Sequence, residues 1–127
     1  MKFTPASLKC CMLVPILLVG LAGGACHKDV PQAISAAEVP KTLQSAFKGA
    51  TGPVSTEAGL VVQALQNDQQ GQALESLERL SSQPGLTDEQ REAATQSALA
   101  VRMKIREAAA AGDKAAQKFL EQQAASK

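Results

Sequence analysis

The chain from about residue 40 onward reads as all-α. The expected fold is a small antiparallel helical bundle, or an array of helical hairpins, of about four to five helices. Three observations predict it. The 127 residues contain three Phe, no Tyr and no Trp, with few β-branched residues after the first 25, and Ala, Gln, Glu and Leu dominate. These are residues that lose little on entering a helix. Apolar positions recur in steps of three and four, the spacing of one helix face. Finally, Pro and Gly cluster between the periodic stretches, where turns belong. Leu, Ile, Val and Phe are scarce in this part, so the expected core is small and rich in Ala. Low net charge, +1 over the whole chain, and clear periodicity argue against disorder.

The first helix is expected from about Pro40 to Lys48. Pro40 suits the first helical position, where its missing N–H costs nothing. Val39, Leu43 and Phe47 fall four apart on one face, and Gly49 is the stop. Ser35-Ala36-Ala37-Glu38 has the spacing of a capping box ahead of it. Gly52-Pro53 marks a turn. The second helix is expected from about Ser55 to Gln66, with Leu60, Val61, Ala64 and Leu65 as its buried stripe and Val62 widening it. Gly59 is either a weak point or a place of close helix approach. Asn67-Asp68 reads as a tight corner.

The third helix is expected from about Gln70 to Ser82, burying Ala73, Leu74, Leu77 and Leu80. Glu75 and Arg79 are spaced for an exposed i,i+4 pair. Gln83-Pro84-Gly85 ends it. The fourth helix has the clearest start: Thr87-Asp88-Glu89-Gln90 is a capping box with two acids in the first turn. It runs from Asp88 to Ala111, with a seam of Ala94, Ala98, Val101, Ile105 and Ala108 flanked by Leu99 and Met103. Gly112 stops it. Asp113 caps a short last helix anchored by Phe119 and Leu120, and Gln122 to Lys127 is expected to fray. Ala73, Leu77 and Leu80, with the corner before them, resemble the second helix of a tetratricopeptide-type hairpin over about 30 residues. The resemblance implies a loosely repeat-like arrangement of the second and third helices.

The first 25 residues follow other rules. Lys2 and Lys9 precede a stretch from Cys10 to Ala25 without one charged residue. Its strongly apolar part, Cys10 to Leu21, is twelve residues long, against roughly 20 for a membrane-spanning helix. Pro15, Gly20 and the small exit Ala22-Gly23-Gly24-Ala25 complete the pattern of a secretion signal covering residues 1–25, removed from the working protein. Leu21-Ala22-Gly23-Gly24-Ala25-Cys26 resembles the lipobox of bacterial lipoproteins. The resemblance implies cleavage between Ala25 and Cys26, a diacylglycerol joined to the Cys26 thiol and an acyl chain on the new amine. No other cofactor is expected. Cleavage after Ala25 by the ordinary secretory route is the alternative, leaving Cys26 as a lone thiol in an oxidising compartment. Residues 26–39, with His27, the Val30-Pro31 pair and Val39 before Pro40, then form a tether. Residues 40–127 form the helical domain. Two or more acyl chains give stable anchoring where one does not. The residue after Cys26 is His27 rather than Asp, which in the family's sorting rule favours the outer over the inner membrane of the bacterial envelope.

Without residues 1–25, the 13 basic side chains lose Lys2 and Lys9 and face 12 acidic ones. Such balance is no footprint for nucleic acid. No catalytic constellation stands out, and no metal site is expected around the one His in the chain. Ser45-Ala46-Phe47-Lys48 matches the Ser-x-x-Lys pattern of serine acyl-transfer enzymes, but its companion motifs are missing. Arg102, Lys104 and Arg106 make a local basic cluster, a solvated face or a contact patch for an acidic partner or lipid headgroups. Leu60-Val61-Val62 is either sandwiched between helices or a partner-facing patch. The function expected is that of a lipid-anchored helical envelope protein. It acts without catalysis as an adaptor or structural module, held to the membrane and bound to another envelope protein. The alternative is a periplasmic binding module for a small apolar ligand or lipid.

Overall fold

The computed structural model describes residues 33–126. Over these residues the chain forms five helices: α1 (Val39–Ala46), α2 (Gly52–Gln66), α3 (Gln70–Ser81), α4 (Asp88–Ala110) and α5 (Lys114–Ala125). There is no strand among the described residues. The expected secretion signal, the expected cleavage site at Ala25 and Cys26, and His27 lie outside them.

Each helix packs against the next in the chain, and α1 also packs on α4, so the first four helices close into a ring. Neighbours run antiparallel. Glu57, early in α2, reaches Arg79, late in α3. Gln90 at the start of α4 donates to the carbonyl of Ala46 at the end of α1, 3.4 Å away. Gln117 in α5 donates back to Ala109 O at 2.9 Å. α4, about 35 Å long at 1.5 Å per residue over 23 residues, is the spine: α1 meets its first half and α5 its second. The core they enclose is one cluster, in which Val39, Leu43, Val61, Leu74, Leu77 and Leu80 are fully buried. Six alanines belong to it. Small side chains let helix backbones approach closely, which is how so few large apolar residues suffice.

The local signals explain most boundaries. At α4 the capping box is complete: the Gln90 N–H donates to Thr87 Oγ1 and the Thr87 N–H to Gln90 Oε1, both at 3.2 Å. Two helices end in the paired reverse bonds that a left-handed residue permits. After α2, Gln69 N donates to Ala64 O at 2.9 Å and Asp68 N to Leu65 O at 3.2 Å, with Asp68 at φ +55°. After α4, Asp113 N donates to Ala108 O at 3.0 Å and Gly112 N to Ala109 O at 3.1 Å, with Gly112 at φ +97°. Asp113 then caps α5 through Oδ1, which accepts from the N–H groups of Ala115 and Ala116.

Several expectations are corrected. α2 begins at Gly52, three residues early, because Pro53 takes a first-turn position instead of ending a turn. The end of the expected tether is part of the domain: Val39 opens α1 fully buried, and Ile34 packs half-buried against the core. Between them Ser35 and Glu38 close a turn ahead of α1, the Ser35 N–H and Oγ both donating to Glu38 Oε2 at 2.9 and 2.8 Å. The Ser35 N–H is the main reason that the Glu38 carboxyl is held below its ordinary pKa, with the hydroxyl adding to it. Leu60 is 42% exposed, and the buried stripe of α2 is Ala58, Val61 and Ala64. Val62 is half-buried, so only Val61 of that trio is fully inside. Nothing lies near Gly59, so it marks no close approach. Glu75 and Arg79 do not pair; Arg79 turns to Glu57 of α2 at 3.4 Å and donates to Ser76 Oγ at 2.8 Å. α5 holds to Ala125 because Asp113 caps its start and Phe119 and Leu120 pack half-buried on the core.

Candidate functional site

The three basic residues of α4 do not form one patch. Successive helical residues turn about 100°, so Arg102 and Arg106 share a side and Lys104 points well round from them. Arg102 donates to Glu78 Oε1 on α3 at 3.0 Å, with both side chains well exposed. An exposed pair of this kind contributes about 0–1 kcal/mol. Arg102 and Arg106, with Glu78, line a recess together with Gln123 of α5 and Ser126 just after it. Lys104 is exposed. The acyl-transfer-like motif is taken up in local structure: the Lys48 N–H donates to Ser45 O at 3.3 Å as α1 ends, and both residues are exposed.

A larger and more apolar concavity lies where the start of α3, the end of α4 and the start of α5 meet. Its volume is about 350 Å³, within the roughly 300–1,000 Å³ range of small-molecule sites. The floor is apolar, built from Ile105 and Ala108 of α4 and Ala116 and Phe119 of α5. Asp68, Glu75 and Asp113 stand on the rim, and no Lys or Arg lines it. Gln70 also lines the cleft, and its Oε1 is buried without a hydrogen-bond partner.

One glycine sets how closely α5 approaches α3 at this cleft. The Phe119 ring lies directly over Gly71, so that a Cβ there would sit 2.8 Å from ring atom Cδ2. Gly71 thus lets α5 seat against α3, with the seated ring as part of the cleft's apolar lining. Neither residue is identifiable as a site residue from the chain alone. Phe119 reads only as an anchor of the last helix, Gly71 carries no side chain to mark a contact, and their meeting depends on how α4 turns the chain back. Asp68 was legible as a corner, not as part of a rim.

On the outer surface of α4, Leu99 and Met103 are exposed by 47% and 46%, one helical turn apart. No helix of the described residues is long and apolar enough to cross a membrane.

With fold and cleft described, comparison with known proteins adds no relative: no protein-family model, curated protein or solved structure matches the chain.

Proposed function

We propose that this chain is a lipid-anchored helical module of a bacterial envelope, acting without catalysis as an adaptor or structural partner of another envelope protein. One observation carries the reading: the uncharged stretch Cys10–Ala25, short for a span, leads through small residues to Cys26. Leu21–Cys26 resembles a lipobox, so Cys26 is the residue to carry diacylglycerol and, on its amine, a further acyl chain. The tether beginning at His27 sets the bundle off the headgroups, with the outer membrane favoured. The described bundle suits this role in having a single buried core and polar helix faces. The apolar pair Leu99 and Met103, beside Arg102 and Arg106, offers side chains for a partner to cover.

The test is intact mass and membrane fractionation of the native protein beside a Cys26→Ser variant. The expected result is a chain starting at Cys26 with diacylglyceryl and acyl mass, and a variant that leaves the membrane fraction. A native chain that is freely soluble with an unmodified Cys26 thiol would overturn the anchor.

A further inference from the structure

We propose that the outer face of α4 is a self-association surface, on which a second copy of this chain lies antiparallel about a two-fold axis. The proposal goes beyond the adaptor reading and does not rest on the lipid anchor, because it names the same chain as what covers this face.

The face is open along the whole helix. Asp88, Glu92, Leu99, Met103, Arg106 and Ala110 are all exposed, and steps of about 100° per residue put them within about 40° of the Leu99 direction. The buried residues of α4, from Ala93 to Ile105, all point about 100° or more away from it. Leu99 and Met103 are two of the three large hydrophobic side chains exposed among the described residues, at 47% and 46%.

The apolar pair divides the charge on this face. Asp88 and Glu92 precede it, and Arg106 follows it, with Arg102 to one side. Arg102 already meets Glu78, whereas neither Glu92 nor Arg106 has an ion-pair partner among the described residues. Glu92 and Arg106 stand seven residues to either side of Leu99. Seven residues are close to two turns, so the three lie nearly in line, about 10 Å apart along the axis. A two-fold axis at Leu99 therefore sets Glu92 of each copy against Arg106 of the other, giving one ion pair and its symmetry mate. It also lays Leu99 on its counterpart and Met103 beside Thr95, which is exposed as well.

Charge selects this arrangement over others. A parallel pair would put acid on acid and base on base, which is unfavourable. Antiparallel helices also place opposite dipole ends side by side. Arg91 and Glu107, whose charges break the division, point about 80° to either side. A uniformly acidic surface, whether an anionic membrane or an acidic protein, would gain from Arg102 and Arg106 and be repelled by Asp88 and Glu92. A second copy carries both signs in the order required.

The test is sedimentation velocity of the full chain at low salt over a concentration series. Reducing conditions keep Cys10, Cys11 and Cys26 from linking copies. One helix against one helix is a small interface, so the expected result is a weak, reversible monomer–dimer equilibrium that added salt weakens further. Glu92→Arg and Arg106→Glu each turn both pairs into repulsion, and each should weaken self-association at least about tenfold. Both sites are exposed, so circular dichroism should show unchanged helix content. Mixing the two single variants should restore a dimer of unlike chains, and the double variant Glu92→Arg, Arg106→Glu should again associate with itself. Leu99→Asp, which sets like charges together at the axis, should abolish association and is the independent check if a charge variant does not fold. A native chain that stays monomeric, association that these variants leave unchanged, or a loss in folded single variants that mixing does not restore would overturn the proposal. None of these outcomes involves the Cys26 modification, so the anchor stands or falls separately.

Discussion

Ser97 shows how one side chain can weaken a core that is otherwise apolar. It sits on the inward face of α4, fully buried, and its Oγ has no hydrogen-bond partner. Burying a hydroxyl without a partner costs about 1–3 kcal/mol. Ser97→Ala removes the oxygen and leaves a better helix former in its place. It is expected to raise stability by about 1 kcal/mol, read as a higher urea midpoint with unchanged slope; a lower midpoint would show that the hydroxyl makes a bond in solution. Asp68 is the other residue that local rules alone make unusual. It alone among the described non-glycine residues has positive φ, +55°. The two reverse hydrogen bonds that close α2 hold it there.

At the scale of elements, α5 is the one helix with no fully buried residue. It is held by its Asp113 cap and by half-buried Phe119 and Leu120 lying on the rest of the bundle. Elements with few buried contacts open at low free energy. Gly71→Ala separates α5 from the rest. The new methyl would meet the Phe119 ring at 2.8 Å, so the ring must leave its seat on α3. Meanwhile α3 itself gains helix propensity, about 1 kcal/mol. Faster amide hydrogen exchange through Lys114–Ala125, with α2 and α3 as protected as before, is the expected outcome. Unchanged protection of α5 would mean that the ring does not hold it. The pairing of Arg79 shows the same scale at work. The i,i+4 spacing to Glu75 is a local signal, but the α2–α3 packing brings Glu57 within 3.4 Å instead.

For the whole molecule, stability rests on a small number of large side chains. Leu43, Leu74, Leu77 and Leu80 are the largest fully buried ones. A leucine-to-alanine change at such a site costs about 2–5 kcal/mol, and a domain of this size has only about 5–15 kcal/mol in total, at the lower end when small. Leu77→Ala is therefore expected to lower the thermal midpoint by about 10–20 °C. Leu99→Ala, on the exposed outer face of α4, should move it by no more than about 3 °C. Similar effects from the two would mean that α4 faces inward differently. The ring also explains why α4 buries more than a narrow seam. Ala93, Ser97 and Ala100 are buried beside Ala94, Val101 and Ile105, because α1 and α3 cover adjacent sides of the same helix.

The amino-acid sequence by itself determined the helical class, the order of five helices, and those boundaries with a chemical marker. Thr87–Gln90, Gly112-Asp113 and the Asn67-Asp68 corner act within a few residues, and local hydrogen bonding is enough to set them. It also determined the inward faces of α1 and α3, since one repeating stripe of large residues has only one way to be buried. Tertiary structure decided the rest. It exposed Leu60, moved Arg79 to Glu57, drew Ile34 onto the core, kept α5 helical to Ala125, and laid Phe119 over Gly71 to make a cleft. Each of these depends on a partner from another helix. The free energy of such contacts comes from surfaces brought together by packing, and no spacing along a single helix encodes which surfaces will meet.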